Sequence, residues 1–197
     1  MQFRTPYIPE NPGFFLSPDR PAVLLGSCFS DNIAAKMRDS LWDATNPFGT
    51  LYNPESIALA LEALLFNPDP QKTIKASIFK DDKRIFHSFL LDSRFSGRSE
   101  EEVIKKGLTA AEEIKDKLGN AEALFVTFGT SICYYLLNES EEMDPIGNIV
   151  SNCHKLPAKM FGKYRLSVEE IVNRWTKICE LLKSRYPQLK IIFTVSP

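Results

Sequence analysis

Two hydrophobic rhythms run through the chain. Continuous apolar runs at residues 22–25, 123–128 and 189–195 read as short, fully buried strands of the kind found in parallel sheets. A shorter extended piece at 41–45 is read as a fourth strand. Between these runs the apolar residues recur every three or four positions. Phe29, Ile33, Met37 and Leu41 predict one helix. Val168, Ile171, Val172, Trp175, Ile178, Cys179 and Leu182 predict another.

Helix-start chemistry sharpens the boundaries. Asn53-Pro54-Glu55 supplies an N-cap and a first-turn proline for a helix reaching about Phe66, which Asn67-Pro68-Asp69-Pro70 ends. Ser99 with Glu102, and Ser167 with Glu170, have capping-box spacing; the first opens a helix to about Leu118. Residues 74–79 and 84–91 flank Asp81-Asp82-Lys83 and predict an inserted hairpin over 74–96. Residues 138–165 read as a long polar loop, with a solvated acidic stretch at 139–144. Strands alternating with helices predict an α/β fold with a mostly parallel sheet covered on both faces, in a single domain over 1–197. A parallel strand at 189–195 calls for a further crossover and strand, so the domain is expected to continue past Pro197.

Composition narrows the function classes. The chain has 197 residues, 44% hydrophobic and 25% charged, with a net charge of -1, as in ordinary globular proteins. There is no dense basic run, so no electrostatic footprint for nucleic acid. Apolar stretches such as 57–66 are too short to span a bilayer, and the N-terminus lacks the apolar core of a secretory signal. With Met1 as the native start, a cytoplasmic location is expected. Cys28, Cys133, Cys153 and Cys179 form no C-x-x-C pair and read as reduced, mostly buried thiols, not a disulfide framework or zinc site.

In open parallel sheets, ligands bind at the carboxyl ends of strands. The residues placed there are Ser27, residues 46–50, residues 129–131 and Ser196. Ser27 is the sharpest, because a strand-to-helix junction offers free N–H groups and a helix dipole to a developing oxyanion. On spacing alone the favoured reading is that Ser27 or Ser30 is a plain N-cap. Nucleotide-binding glycine loops are absent.

Gly26-Ser27-Cys28-Phe29-Ser30 resembles the signature of the GSCFA domain family, which has Ala at the last place. Asn46-Pro47-Phe48-Gly49-Thr50, Phe128-Gly129-Thr130, Asn152-Cys153-His154-Lys155 and the closing Thr-Val-Ser-Pro resemble the family too, so the likeness covers nearly the whole chain. That family is similar to the SGNH (GDSL-like) hydrolases. The resemblance implies a flavodoxin-like three-layer α/β/α sandwich, ester or acetyl hydrolysis or transfer, and no cofactor or metal. It implies Ser27 as nucleophile, with the Ser27 and Gly49 N–H groups as oxyanion donors. Cys28, also at the helix N-terminus, is the alternative nucleophile; neighbouring side chains there point differently and only one can face the cleft, so with Ser27 there Cys28 is expected to pack inward. The third SGNH donor is an Asn in Gly-x-Asn-Asp; here the place reads Gly129-Thr130-Ser131, so Ser131 or Asn152 must stand in. The SGNH base lies in a late Asp-x-x-His. His87 and His154 are in no such motif, so the base is expected beyond Pro197, and this polypeptide alone is expected to show little activity. His154, in a loop beside Asn152 and Lys155, is a candidate base or substrate-binding residue or a structural one; His87 falls in the hairpin, as a pocket wall or a structural residue. The expected partner is a small-molecule or carbohydrate ester, with no nucleic acid and no membrane. The alternatives are a non-catalytic ligand-binding module on the same fold and an interaction domain docking through the 74–96 hairpin.

Overall fold

The computed structural model describes Asn11, residues 13–137 and residues 145–195, with only the backbone of Ile146. Readings that concern the other residues, including the acidic stretch at 139–144 and Ser196, lie outside the described part.

The core is a parallel sheet built from β1 (Ala22–Gly26), β2 (Ala44–Thr45), β5 (Ala123–Phe128) and β9 (Lys190–Val195), in the spatial order β2-β1-β5-β9. Gly26 stands opposite Thr127, so the carboxyl ends of β1 and β5 lie side by side. Strand alternation sorts the side chains onto two faces. Ala22 and Leu24 meet Ala34, Ile33 and Met37 of α1 (Cys28–Asp39). Val23, Leu25, Leu124 and Val126 enter the larger core with α2 (Pro54–Leu61), α4 (Glu100–Asn120) and α5 (Val168–Arg185). The result is a three-layer α/β/α arrangement, as the apolar pattern predicts.

Topology follows from handedness. The crossover from β1 to β2 runs outward one way; the path from β2 to β5 passes back over β1, and α5 carries it on to β9. Right-handed crossovers that run in opposite directions put their helices on opposite faces. The helices therefore part between β1 and β5, leaving a crevice at the carboxyl ends of those two strands.

Several boundaries differ from the sequence reading. Asn67-Pro68-Asp69-Pro70 ends one helix, after a π-helical turn at Glu62–Phe66, and also starts the next. Asp69 accepts the Lys72 N–H and Pro70 takes the first turn, giving α3 (Pro70–Ala76) where a strand is expected from residue 74. The hairpin strands are β3 (Ile78–Lys80) and β4 (Phe86–Ser88), joined across Asp81-Asp82-Lys83. Residues 138–165 are not one loop. β7 (Ile149–Val150) and β8 (Phe161–Arg165) flank β6 (Ile132–Leu136) in an antiparallel sheet of order β7-β6-β8. Its alternation is faint because β6 and β7 bury only Cys133 and Val150, while β8 buries no side chain. On α1 the buried positions are Ser30 and Ala34; Ile33 and Met37 are half-buried, and Phe29 and Leu41 are exposed. On α5, Trp175, Ile178 and Leu182 are core, whereas Val168 and Val172 face outward. The Ser167–Glu170 capping box is complete. In the Ser99 box Glu102 instead accepts the Arg98 N–H, so only the Ser99 half forms. No described helix is long and apolar enough to cross a membrane.

Candidate active site

Ser27 follows the last residue of β1, at the crevice. The turn there needs glycine: Gly26 has φ +141°, and a Cβ on it would lie 2.4 Å from the Thr127 carbonyl oxygen. Ser27 is buried and caps α1, its Oγ accepting the Phe29 N–H at 3.3 Å. Ser30, directly beneath, donates its hydroxyl to the Leu25 carbonyl at 3.2 Å. The expected inward packing of Cys28 is corrected: Cys28 is exposed and Ser27 is the inward neighbour. The N-cap conformation turns Ser27 over its own helix and leaves the next side chain at the surface beside Tyr52. Partial desolvation, then the adjacent Cys28 thiol, push the Tyr52 hydroxyl above the usual tyrosine range. Of the four free cysteines only Cys133 is buried, so the reading of mostly buried thiols is also corrected; burial pushes the Cys133 thiol up to about 12.

Gly49 occupies the loop after β2. That loop is tied to β1, with Leu51 N–H donating to the Gly26 carbonyl at 2.8 Å and Thr50 bridged to Gly26. Gly49 has φ +77°. Its N–H makes only a long 3.3 Å turn bond to the Asn46 carbonyl, so it is loosely committed.

The third side of the crevice is the turn after β5. Gly129 lies against the nucleophile position: a Cβ there would be 3.3 Å from Ser27 Cβ. The Gly129 and Thr130 N–H groups both donate to the Tyr52 carbonyl, at 2.8 and 3.1 Å, and so do not face the crevice as free donors. Ser131 and Asn152, the two stand-ins for the third donor, do not share a cavity. Asn152 lines one of about 290 Å³ with Tyr52 and Tyr134; Ser131 lines another of about 360 Å³ with Phe128 and Val172. Thr130 borders both. Asn152 Oδ1 accepts the His154 N–H at 2.7 Å.

Neither histidine is hydrogen-bonded to Ser27. His154 turns its ring into the hairpin, its Nε2 at 2.8 Å from the Ser88 carbonyl and its centroid 4.7 Å from that of His87. Burial pushes its pKa below the ordinary histidine value. His87 lies between Asp81 and Ser96, with Nε2 3.2 Å from Asp81 Oδ2 and Nδ1 2.6 Å from Ser96 Oγ. No group of acidic, histidine or cysteine side chains among the described residues is arranged to hold a metal ion.

A polar network around the Gly49 loop has no signature in the sequence. Asp31 of α1 accepts Asn46 Nδ2 at 2.9 Å and the Thr50 hydroxyl at 2.8 Å. Asp92 accepts the Thr50 N–H at 2.8 Å, and Arg94 joins the two aspartates. Nothing local in the sequence marks Asp31, Asp92 or Arg94 as members of one network.

The model of the GSCFA family matches residues 21–197. No curated protein and no solved structure matches the chain.

Proposed function

The chain belongs to the GSCFA family, and from that premise we propose a serine hydrolase or acyltransferase of SGNH type, acting on an ester or acetyl group of a small molecule or carbohydrate. The observation that carries this reading is the position of Ser27: buried, on a turn only glycine allows, at the N-terminus of a 12-residue helix and against Gly129 at the carboxyl ends of β1 and β5.

In this reading Ser27 Oγ attacks the substrate carbonyl. An Oγ–C bond forms, and the electron pair moves onto the carbonyl oxygen. That oxyanion is stabilised by the α1 N-terminus and the Ser27 and Gly49 N–H groups. A base takes the Ser27 hydroxyl proton as Oγ attacks; collapse expels the alkoxide, which receives that proton from the base, and leaves an acyl-serine. Water or an acceptor hydroxyl then releases the acyl group. His87 and His154 are engaged in the hairpin, so the base and its orienting acid are proposed to lie outside the described residues.

Two observations favour a non-catalytic binding module instead. The Gly129 and Thr130 N–H groups are committed to Tyr52, and Ser27 Oγ is itself a helix cap. Labelling the protein encoded by the whole gene with a fluorophosphonate separates the two. Labelling abolished by Ser27→Ala is expected. A folded wild-type protein that stays unlabelled overturns the hydrolase reading in favour of the binding module.

A further inference from the structure

The geometry points to Asp92, in the segment that reads as an insertion, as the positioning residue for the Gly49 loop. This rests on the hydrolase reading, in which the Gly49 N–H faces the oxyanion. The side chain of Asp92 is nearly buried. Its Oδ2 accepts the Thr50 N–H at 2.8 Å, and its Oδ1 accepts the Arg94 N–H at 2.8 Å, capping the turn Ser93–Phe95. Gly49 packs so closely on this carboxylate that a Cβ would fall 2.3 Å from Oδ2. The residue that carries the candidate oxyanion donor is therefore glycine for two reasons: its φ of +77° and the carboxylate above it.

Arg94 extends the clamp to the helix that carries Ser27. Its Nε is 3.3 Å from Asp92 Oδ2, one terminal nitrogen is 3.3 Å from the Asn46 carbonyl, and the other is 3.1 Å from Asp31 Oδ1. Asp31 lies one turn beyond Ser27 on α1 and holds the other side of the loop through Asn46 and Thr50. The loop is thus fixed on three sides: by β1 through Leu51, by α1 through Asp31, and by the 92–94 turn through Asp92. Because Asp92 takes the Thr50 N–H, that donor cannot compete with Gly49 for the substrate. Asp92 sets both which N–H faces the crevice and how firmly it is held.

The test uses Asp92→Ala and Asp92→Asn in the full-length protein, with three readouts: fluorophosphonate labelling resolved into kinact and KI, hydrogen exchange over residues 46–51, and thermal stability. For Asp92→Ala, kinact is expected to fall by about 10- to 100-fold, the scale of losing a pre-set geometry. KI is expected to hold, and exchange at 46–51 to accelerate while α4 stays protected. Asp92→Asn keeps one acceptor oxygen for Thr50 and is expected to recover part of kinact. If kinact is unchanged in both variants while the loop exchanges faster, Asp92 is structural only and the inference is overturned. If the wild-type protein does not label, the hydrolase reading fails on its own. Exchange then decides the clamp: faster exchange confined to 46–51 supports it, and unchanged exchange overturns it.

Discussion

Ser96 sits in a line of hydrogen bonds that Ser27 lacks, and Ser27 sits in an environment that Ser96 lacks. Asp81 is held below the usual carboxylate range, first by the Ile85 N–H and then by His87, so it is ionised at neutral pH. An ionised carboxylate only accepts, so His87 Nε2 carries a hydrogen and Nδ1 is left to face the Ser96 hydroxyl. Asp81, His87 and Ser96 therefore have the connectivity of an acid–base–nucleophile relay. Ser96, however, follows a three-residue 3-10 turn, and its carbonyl accepts Lys106 Nζ. Ser27 has the long helix, the glycine turn and a place at the switch point between β1 and β5, without a histidine. A relay of hydrogen bonds moves a proton, but nucleophilic attack also needs a place for the oxyanion and room for the acyl group. The difference assigns Ser27 to chemistry and the Ser96 line to holding the hairpin.

The largest expected effect breaks the comparison outright. With the fluorophosphonate, Ser27→Ala is expected to remove all labelling while lowering stability by only about 1 kcal/mol, the usual value of an N-cap. Peptide mapping showing the adduct on Ser96 would reverse the assignment. Next is the turn beneath Ser27. Gly26→Ala is expected to cost about 3 kcal/mol, because an L-residue at φ +141° is strained and its Cβ would meet the Thr127 carbonyl. A denaturant titration showing less than about 1 kcal/mol would mean the turn relaxes, and the buried setting of Ser27 would lose its support. Smaller still, Ser96→Ala is expected to leave labelling unchanged and cost about 1 kcal/mol, one hydrogen bond in a partly buried line. Loss of labelling in this variant would show the two serines to be coupled.

The two sites also differ in how far the sequence reveals them. The Ser27 elbow is local: an apolar run, a glycine and a helix cap lie within eight residues, and short-range chemistry places them. Which of Ser27 and Cys28 turns inward was not legible, because it depends on the Gly26 dihedral. The clamp on the Gly49 loop is long-range. Thr50 and Asp92 are 42 residues apart, and Asp31 and Arg94 are 63. No periodicity links them, and an aspartate in a turn has many ordinary uses. The sheet of β6, β7 and β8 is faint in the sequence for another reason: with so few of its side chains buried, it writes almost no apolar alternation. Asp81-Asp82-Lys83 did announce the hairpin, but not that His154 would come from far along the chain to pack against it.

That packing supplies the finest probe of the comparison. His154 lies against His87 and the Ser88 carbonyl, with Asp92 nearby. Burial is the largest cause of its lowered pKa, and the neighbouring His87 adds to it; the Ser88 and Leu91 carbonyls and Asp92 only partly oppose them. A histidine whose pKa is lower folded than unfolded binds more protons in the unfolded chain. Its contribution is therefore fully present above the unfolded value of about 6.5 and declines as pH falls through that value toward the folded one. Thermal stability is expected to drop between pH 7 and pH 5, and His154→Gln is expected to flatten that slope. Labelling of Ser27, scaled to the folded fraction, is expected to respond to pH identically in the two proteins. If His154→Gln leaves the stability slope intact, the ring is not held neutral by the hairpin. If it alters the pH profile of labelling at Ser27, His154 is linked to the nucleophile, and the separation of the two serines into a reactive site and a structural one fails.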